Sequence, residues 1–415
     1  MFSTYFDGAA RVEALRSGPF GTRLEGFAGY LCRCGYSKIS ARRHLRSAEH
    51  FAHWATRGGV RIDGSDALAV SRFGDHLSRC RCGRYGCWDR VNVIAGARLF
   101  AEHLQKAEQP DASAIGPVAS EPPLLKSFGE WMRKRRGTTK ATLYNYGRPI
   151  RALIERLGED PSDLNARQLR EFVLDQSRSS GWAAAKQCTT ALRMFLRFLI
   201  AEGRCPADLL GAIPTVAHWR LSAVPRCLPP EDVERLIASC DVSLPVGLRD
   251  RAILLLLARL GLRAGDIVQL RLQDIDWKDA WISVCGKGRQ QARLPLSQEV
   301  GQAIVAYLQK GRAPGCTDAL FLRTRAPFRA LRSHCAVSVL VDRAMRRAGI
   351  KRPARGAAHL LRHSLASSML RQGASLQEIA TLLRHRSVET TQIYAKVDVT
   401  GLMRIAQPWV EVAPC

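Results

Sequence analysis

Between Ala358 and Val397 stand side chains whose types and spacing suggest one reaction. His359 and Arg362 are three residues apart, so on a helix they share a face. His385 directly follows an apolar helical run, and Tyr394 comes nine residues later on a short segment of its own. A phenol is a weak nucleophile at neutral pH, with an ordinary pKa of about 10. Guanidinium groups beside it favour the phenolate and also bind a phosphate through paired N–H donors. Histidine moves protons near neutrality. Tyrosine, arginine and histidine around one phosphate therefore predict covalent phosphodiester chemistry.

Rigid elements must hold these groups, and the sequence between them supplies the punctuation. Gly373 ends the first helix as a left-handed cap. Ser375 and Glu378 form an S-x-x-E capping box that starts the next, whose inward face is Leu376, Ile379, Ala380 and Leu383. The pattern is helix, tight turn, helix, turn, tyrosine.

The run H-x-L-R-H at His359–His363, then L-x-H ending at His385, then Tyr394, resembles box II of the tyrosine recombinases, the phage integrase family. Upstream, Gly261-Leu262-Arg263 with Asp266 three residues on resembles box I. The resemblance implies Arg263 and Arg362 as ligands of the scissile phosphate, with Asp266 orienting a neighbouring cation or histidine. Lys287, in the turn Gly286-Lys287-Gly288, would protonate the leaving 5′ oxygen, with Arg289 as the neighbouring alternative. His359 would transfer a proton, His385 would hydrogen-bond the phosphate, and His363 would give structural support. Tyr394 would be the nucleophile, leaving a 3′-phosphotyrosine and a free 5′ hydroxyl. The bond energy stays in the covalent link, so no ATP and no other cofactor is required. Arg384 departs from the pattern, since many members have glycine before this histidine. An arginine there is expected to be compatible with the helix and to add a DNA contact.

The composition agrees with a nucleic-acid partner. Lysine and arginine number 63 against 37 acids in 415 residues, a formal charge of +26. No apolar run reaches the roughly 18 residues of a membrane span, and the N-terminus lacks a signal-peptide pattern. A cytoplasmic location is expected.

The expected fold is mainly α with a small β-sheet. Residues 1–107 read as an extra helical domain, 108–123 as a linker rich in Pro, Ala, Ser and Gly, and 124–205 as a helical DNA-binding domain. This second unit resembles the core-binding domain of the family, and Arg133, Lys134, Arg135 and Arg136 are its candidate phosphate contacts. Residues 206–226 read as a second linker and 227–415 as an α+β catalytic domain with a hairpin, Trp277–Val284 and Ala292–Leu296. The two helical units echo one another: Phe27-x-x-Tyr30-Leu31 parallels Phe128-x-x-Trp131-Met132, and Phe100 parallels Phe195.

Thirteen cysteines in a reducing compartment argue against a disulfide framework. Cys32, Cys34, Cys80, Cys82 and Cys87 all lie in the N-terminal unit, near helix ends that could meet. They are weak candidates for structural zinc, because C-x-C is a less common ligand spacing than C-x₂-C and reduced structural thiols are the simpler expectation.

The expectation is a site-specific recombinase that cuts and rejoins double-stranded DNA through a Holliday junction. The resemblance implies a tetramer on paired sites, with other tyrosine recombinases as further candidate partners and no membrane involvement. Integration or transposition of a mobile element is favoured by the extra N-terminal unit. Resolution of chromosome or plasmid dimers, a catalytically inactive DNA-binding accessory protein, and the similar type IB topoisomerases are the alternatives.

Overall fold

Helical apolar spacing dominates the sequence, and helices dominate the computed structural model. It describes residues 1–18, 20–62, 68–82, 85, 89–108, 121–158, 160–216, 225–286, 291–314, 317–351, 356–385, 387–397 and 402–403. Two units are formed, one of Met1–Ala112 with Ala223–Cys415, the other of Ser113–Ser222. Among the described residues no helix is long and apolar enough to cross a membrane.

The N-terminal part of the first unit contains α1 (Phe2–Tyr5), α2 (Ala9–Arg16), α3 (Gly21–Arg33), α4 (Lys38–Arg57), α5 (Ala69–Leu77) and α6 (Arg90–Glu108). Ser37 caps α4 by accepting the Ser40 amide at 3.3 Å. Phe27, Leu31, Leu45, Phe51, Phe73 and Phe100 are buried in a core of their own. This part also touches the catalytic part. The Phe328 amide donates to the Cys34 carbonyl at 3.2 Å, and Arg329 donates to the Tyr30 hydroxyl. Gly35 has φ +75°, and a Cβ there would fall 2.3 Å from carbons of the Phe328 ring. Only glycine allows this approach.

The second unit holds α7 (Pro123–Arg136), α8 (Lys140–Leu157), α9 (Ala166–Ser180), α10 (Trp182–Ala201) and the short α11 (Leu209–Ala212). Its packing repeats that of the N-terminal helices. α7 packs on α8, while α8 and α9 both pack on α10, as α3 packs on α4 and both α4 and α5 pack on α6. An aromatic pair stands at the same place in each: Phe27 and Phe100 have ring centres 5.1 Å apart, Phe128 and Phe195 5.5 Å. The predicted second linker starts too early. Leu209 and Ile213 are buried in this unit's core, and the Arg193 guanidinium donates to the carbonyls of Ile213 and Pro214 at 3.2 and 3.3 Å.

The catalytic part begins with α12 (Pro230–Ala238) and α13 (Pro245–Arg259). The middle of α13 is apolar on every side because it is enclosed: Ile253 through Leu257 are all fully buried. After α14 (Ala264–Gln269) come β1 (Ile275–Asp276), β2 (Trp281–Cys285) and β3 (Gln291–Pro295), an antiparallel sheet in that order with Ile282 opposite Leu294. The hairpin's first strand starts at Trp281, not Trp277. Asp276 Oδ1 accepts the amides of Lys278 and Asp279 at 3.2 and 3.1 Å, which folds Trp277–Ala280 into a turn. α15 (Gln298–Ala306), α16 (His334–Arg347), α17 (Ala357–Arg371) and α18 (Leu376–Leu382) complete the part.

Candidate active site

Two helix junctions and one short turn build the site. At the first junction, α13 gives way to α14 through Gly261, whose φ is +58°. A Cβ at Gly261 would meet Leu383 at 2.7 Å and Leu365 at 3.0 Å, so a glycine is needed on steric grounds too. Arg263 then caps α14, and its amide donates to Asp266 Oδ2 at 2.9 Å. At the second junction, α17 stops at Arg371, Gly373 takes φ +91°, and the Ser375–Glu378 capping box opens α18. Tyr394 lies on a 3₁₀ segment, Gln392–Val397, whose first turn is closed by the Tyr394 amide on the Thr391 carbonyl at 3.0 Å.

These junctions bring most of the sequence candidates together. Arg362 is buried on α17, and its two terminal nitrogens donate to the carbonyls of Gly261 and Leu383. It thereby ties the α13–α14 junction and the end of α18 to one side chain. Burial, then Arg263 and Arg384, push its pKa down to about 9, so it stays charged at neutral pH. Arg263 is half-buried and donates to the Arg384 carbonyl at 3.3 Å; burial is the main cause lowering its pKa. His359 stands exposed at the rim. Partial desolvation, then Arg362, Arg263 and His334, lower its pKa.

Tyr394 is only 1 % exposed. The guanidinium groups of Arg362 and Arg263 do favour its phenolate, but burial outweighs them and pushes the phenol up to about 12. Its hydroxyl shares a 2.9 Å hydrogen bond with Nδ1 of His363. Burial, then His359 and Arg362, bring His363 down to about 4, which keeps its imidazole neutral. His385 shares a 2.7 Å bond with the Thr391 hydroxyl, and burial followed by Arg362 and Arg263 brings it to about 4.

Three results differ from the sequence reading. His363, expected as support, is the histidine in contact with the phenol. Thr391, which was not singled out, is fully buried and orients His385; its place three residues before the tyrosine was the available signal. Arg384 is neither helical nor a surface contact. It takes φ +52°, a conformation suited to glycine, and points inward to Asp266 Oδ2 at 2.6 Å. Asp266 is thus the carboxylate that orients a cation. Nε and Nη1 of Arg384 are buried with no hydrogen-bond partner among the described residues. Lys287 and Arg289 lie outside the described residues, as does Cys87.

The pocket therefore holds the guanidinium groups of Arg263, Arg362 and Arg384 against the buried carboxylate of Asp266, with a phenol at its base. A helical scaffold that delivers a tyrosine into such an excess of positive charge is built for transfer of a phosphodiester. Residues 226–400 match the phage integrase family. Over 399 residues the chain is 35% identical to "Putative integrase/recombinase y4rA" of Sinorhizobium fredii (strain NBRC 101917 / NGR234), covering 94% of this chain and 95% of that one. It is 27% identical to the tyrosine recombinase XerD of Lacticaseibacillus casei, over 68% of this chain and 96% of that one. In fold it is similar to XerH site-specific recombinase bound to palindromic difH substrate (TM-score 0.54, 20% identity, 83% of this chain and 96% of that chain). It is also similar to a lambda integrase dimer bound to a COC′ core site (TM-score 0.53, 19% identity, 70% and 98%). The chain belongs to the phage integrase family of tyrosine recombinases, enzymes that cleave and rejoin DNA.

Proposed function

We propose that this recombinase acts through a 3′-phosphotyrosine at Tyr394 and moves a mobile element. The observation that carries the site assignment is the convergence of Tyr394, His363, Arg362 and Arg263 from separate elements. In the first step the phenol oxygen attacks phosphorus and gives its proton to the neutral His363. The bond from phosphorus to the 5′ oxygen breaks, and Lys287 supplies the proton that the leaving oxygen takes. Arg263, Arg362, His359 and His385 donate to the non-bridging oxygens, whose charge grows in the transition state. Nε and Nη1 of Arg384, without a hydrogen-bond partner among the described residues, favour an anion in the same pocket. Attack on the phosphotyrosine by a different 5′ hydroxyl rejoins the strand and regenerates the phenol.

The partner is double-stranded DNA, held as paired sites by four copies that exchange one strand of each duplex at a time through a Holliday junction. Arg133, Lys140, Arg148 and Arg151 line a 430 Å³ cavity in the second unit, and Arg11, Arg42, Arg43 and Arg46 line one of 810 Å³ in the N-terminal part. The first suits contacts with phosphate; in the second Arg11 and Arg42 already pair with Glu49 and Asp7, so Arg43 and Arg46 are its candidate contacts. A mobile-element role is supported by the near-full-length similarity to a protein named integrase/recombinase, whereas the XerD relative spans only about two thirds of this chain. The cytoplasm is the expected compartment.

The test is covalent trapping on nicked duplexes drawn from the DNA flanking the coding sequence, without added metal. A protein–DNA band on a denaturing gel that disappears in Tyr394→Phe supports the assignment. A band that survives Tyr394→Phe refutes the nucleophile. Relaxation of supercoiled DNA that lacks any flanking sequence would indicate a topoisomerase instead.

A further inference from the structure

We infer that His50, His76, Cys80 and Cys82 form a structural zinc site in the N-terminal part. His50 lies on the buried face of α4, His76 in the last turn of α5, and both cysteines in the loop that follows α5. Their donor atoms all lie within 4.8 Å of one another. Cys80 Sγ is 3.4 Å from His50 Nε2, and Cys82 Sγ is 3.7 Å from His76 Nε2. Tetrahedral zinc with bonds of about 2.3 Å to sulfur and about 2.05 Å to nitrogen places such a pair roughly 3.6 Å apart. The observed spacings bracket that value.

The donor set points to the metal. Two thiolates with two imidazoles suit zinc, whereas calcium and magnesium take oxygen ligands. The Cys82 amide donates to Cys80 Sγ at 3.4 Å, an outer contact that stabilises a thiolate. Tyr85 stacks on the His50 ring at 4.7 Å and 8°, which restricts the ring's orientation. Two separate thiol–imidazole hydrogen bonds explain each pair by itself, but they do not require four donors from three segments to gather within 4.8 Å of one another.

The ligand set differs from the cysteine group expected from the sequence. Cys32 and Cys34 do not join it, because the end of α3 turns to Tyr5 and to Phe328 instead. C-x-C spacing hid the site because its other two ligands are histidines, one of them, His50, on a separate helix 30 residues before Cys80. Zinc here would lock α5 and its loop onto α4, the helix that carries Arg42, Arg43 and Arg46.

Metal content of the full chain, expressed with zinc and purified under reducing conditions, tests this. About one zinc per chain is expected, retained by Cys32→Ser/Cys34→Ser and lost at least tenfold in Cys80→Ser/Cys82→Ser. Less than about a tenth of one zinc in the unaltered chain overturns the site, as does full retention in Cys80→Ser/Cys82→Ser. Since that variant could misfold, cobalt is exchanged into the unaltered chain as a second measurement. Strong visible bands of tetrahedral cobalt, with thiolate-to-cobalt charge transfer, support the site, and the weak spectrum of octahedral cobalt refutes it.

Discussion

Nδ1 of His363 and the phenol oxygen of Tyr394 lie 2.9 Å apart, with the phenol fully enclosed. Burial holds both partners neutral, the imidazole at about 4 and the phenol at about 12. So wide a separation means the proton does not leave the resting phenol. In the proposed reaction it leaves as Oη bonds to phosphorus, when the imidazole is the base in reach. His363→Ala should therefore slow formation of the covalent complex by ~10²–10⁴-fold, the usual contribution of a positioned proton acceptor. Single-turnover cleavage of a nicked substrate measures it. If His359→Ala shows the loss and His363→Ala does not, the contact only positions the ring.

Arg384 and Asp266 form a nearly enclosed ion pair. Arg384→Ala would strand the carboxylate in the protein, which costs ~3–5 kcal/mol in comparable buried pairs. The denaturant midpoint of the catalytic part should fall accordingly, and adding Asp266→Asn should recover part of the loss. Arg384→Gly relieves the left-handed backbone but also removes the cation, so it too should be less stable than the unaltered chain. Equal stability of Arg384→Gly would mean that the ion pair contributes no more than relief of the left-handed backbone returns.

Much of this pocket is readable from sequence because its parts are local. Gly373, Ser375 and Glu378 announce their caps, and His359 and Arg362 share a helix face by spacing alone. Arg384 is the instructive miss. Its type suggests a surface, DNA-facing side chain, but the turn after α18 points it at a carboxylate 118 residues earlier. The His363 contact is hidden for the same reason, since it depends on where the Tyr394 segment folds back. The direction of the Tyr394 pKa was also beyond the sequence, because guanidinium neighbours and burial act in opposite senses and only the structure weighs them. In the helical units, periodicity gives the cores, yet it does not reveal that Leu209 and Ile213 continue the second core past the predicted boundary.

Gly261 links stability to chemistry. Its carbonyl accepts from Arg362, while its Cα faces Leu383 and Leu365 too closely for a side chain. Gly261→Ala forces a methyl into a left-handed residue and a packed contact, with an expected cost of ~1–3 kcal/mol. Because the displaced carbonyl also shifts Arg362, cleavage should fall by more than stability at the assay temperature accounts for. Measuring both in the same variant separates the effects. A cleavage rate matching the unaltered chain, in a protein destabilised as expected, would show that Arg362 tolerates movement of its anchor.

Acid should weaken the catalytic part before its carboxylates titrate. His363 and His385 both have folded pKa values depressed to about 4, against an ordinary value of 6.5. Below pH 6.5 the unfolded chain binds protons that the folded chain refuses, so their contribution, complete above that value, is lost as pH falls toward 4. Each histidine changes stability by at most about 1.4 kcal/mol per pH unit inside that window. Urea midpoints at pH 7, 5.5 and 4.5 should fall steadily, and His385→Gln should flatten the decline by removing one of the two groups. Tyr394 acts at the other end, where its raised pKa makes stability fall as pH climbs from 10 toward 12. A midpoint that stays constant from pH 7 to 4.5 would mean that these imidazoles are hydrated in solution, and that the enclosed pocket opens far more readily than its packing implies.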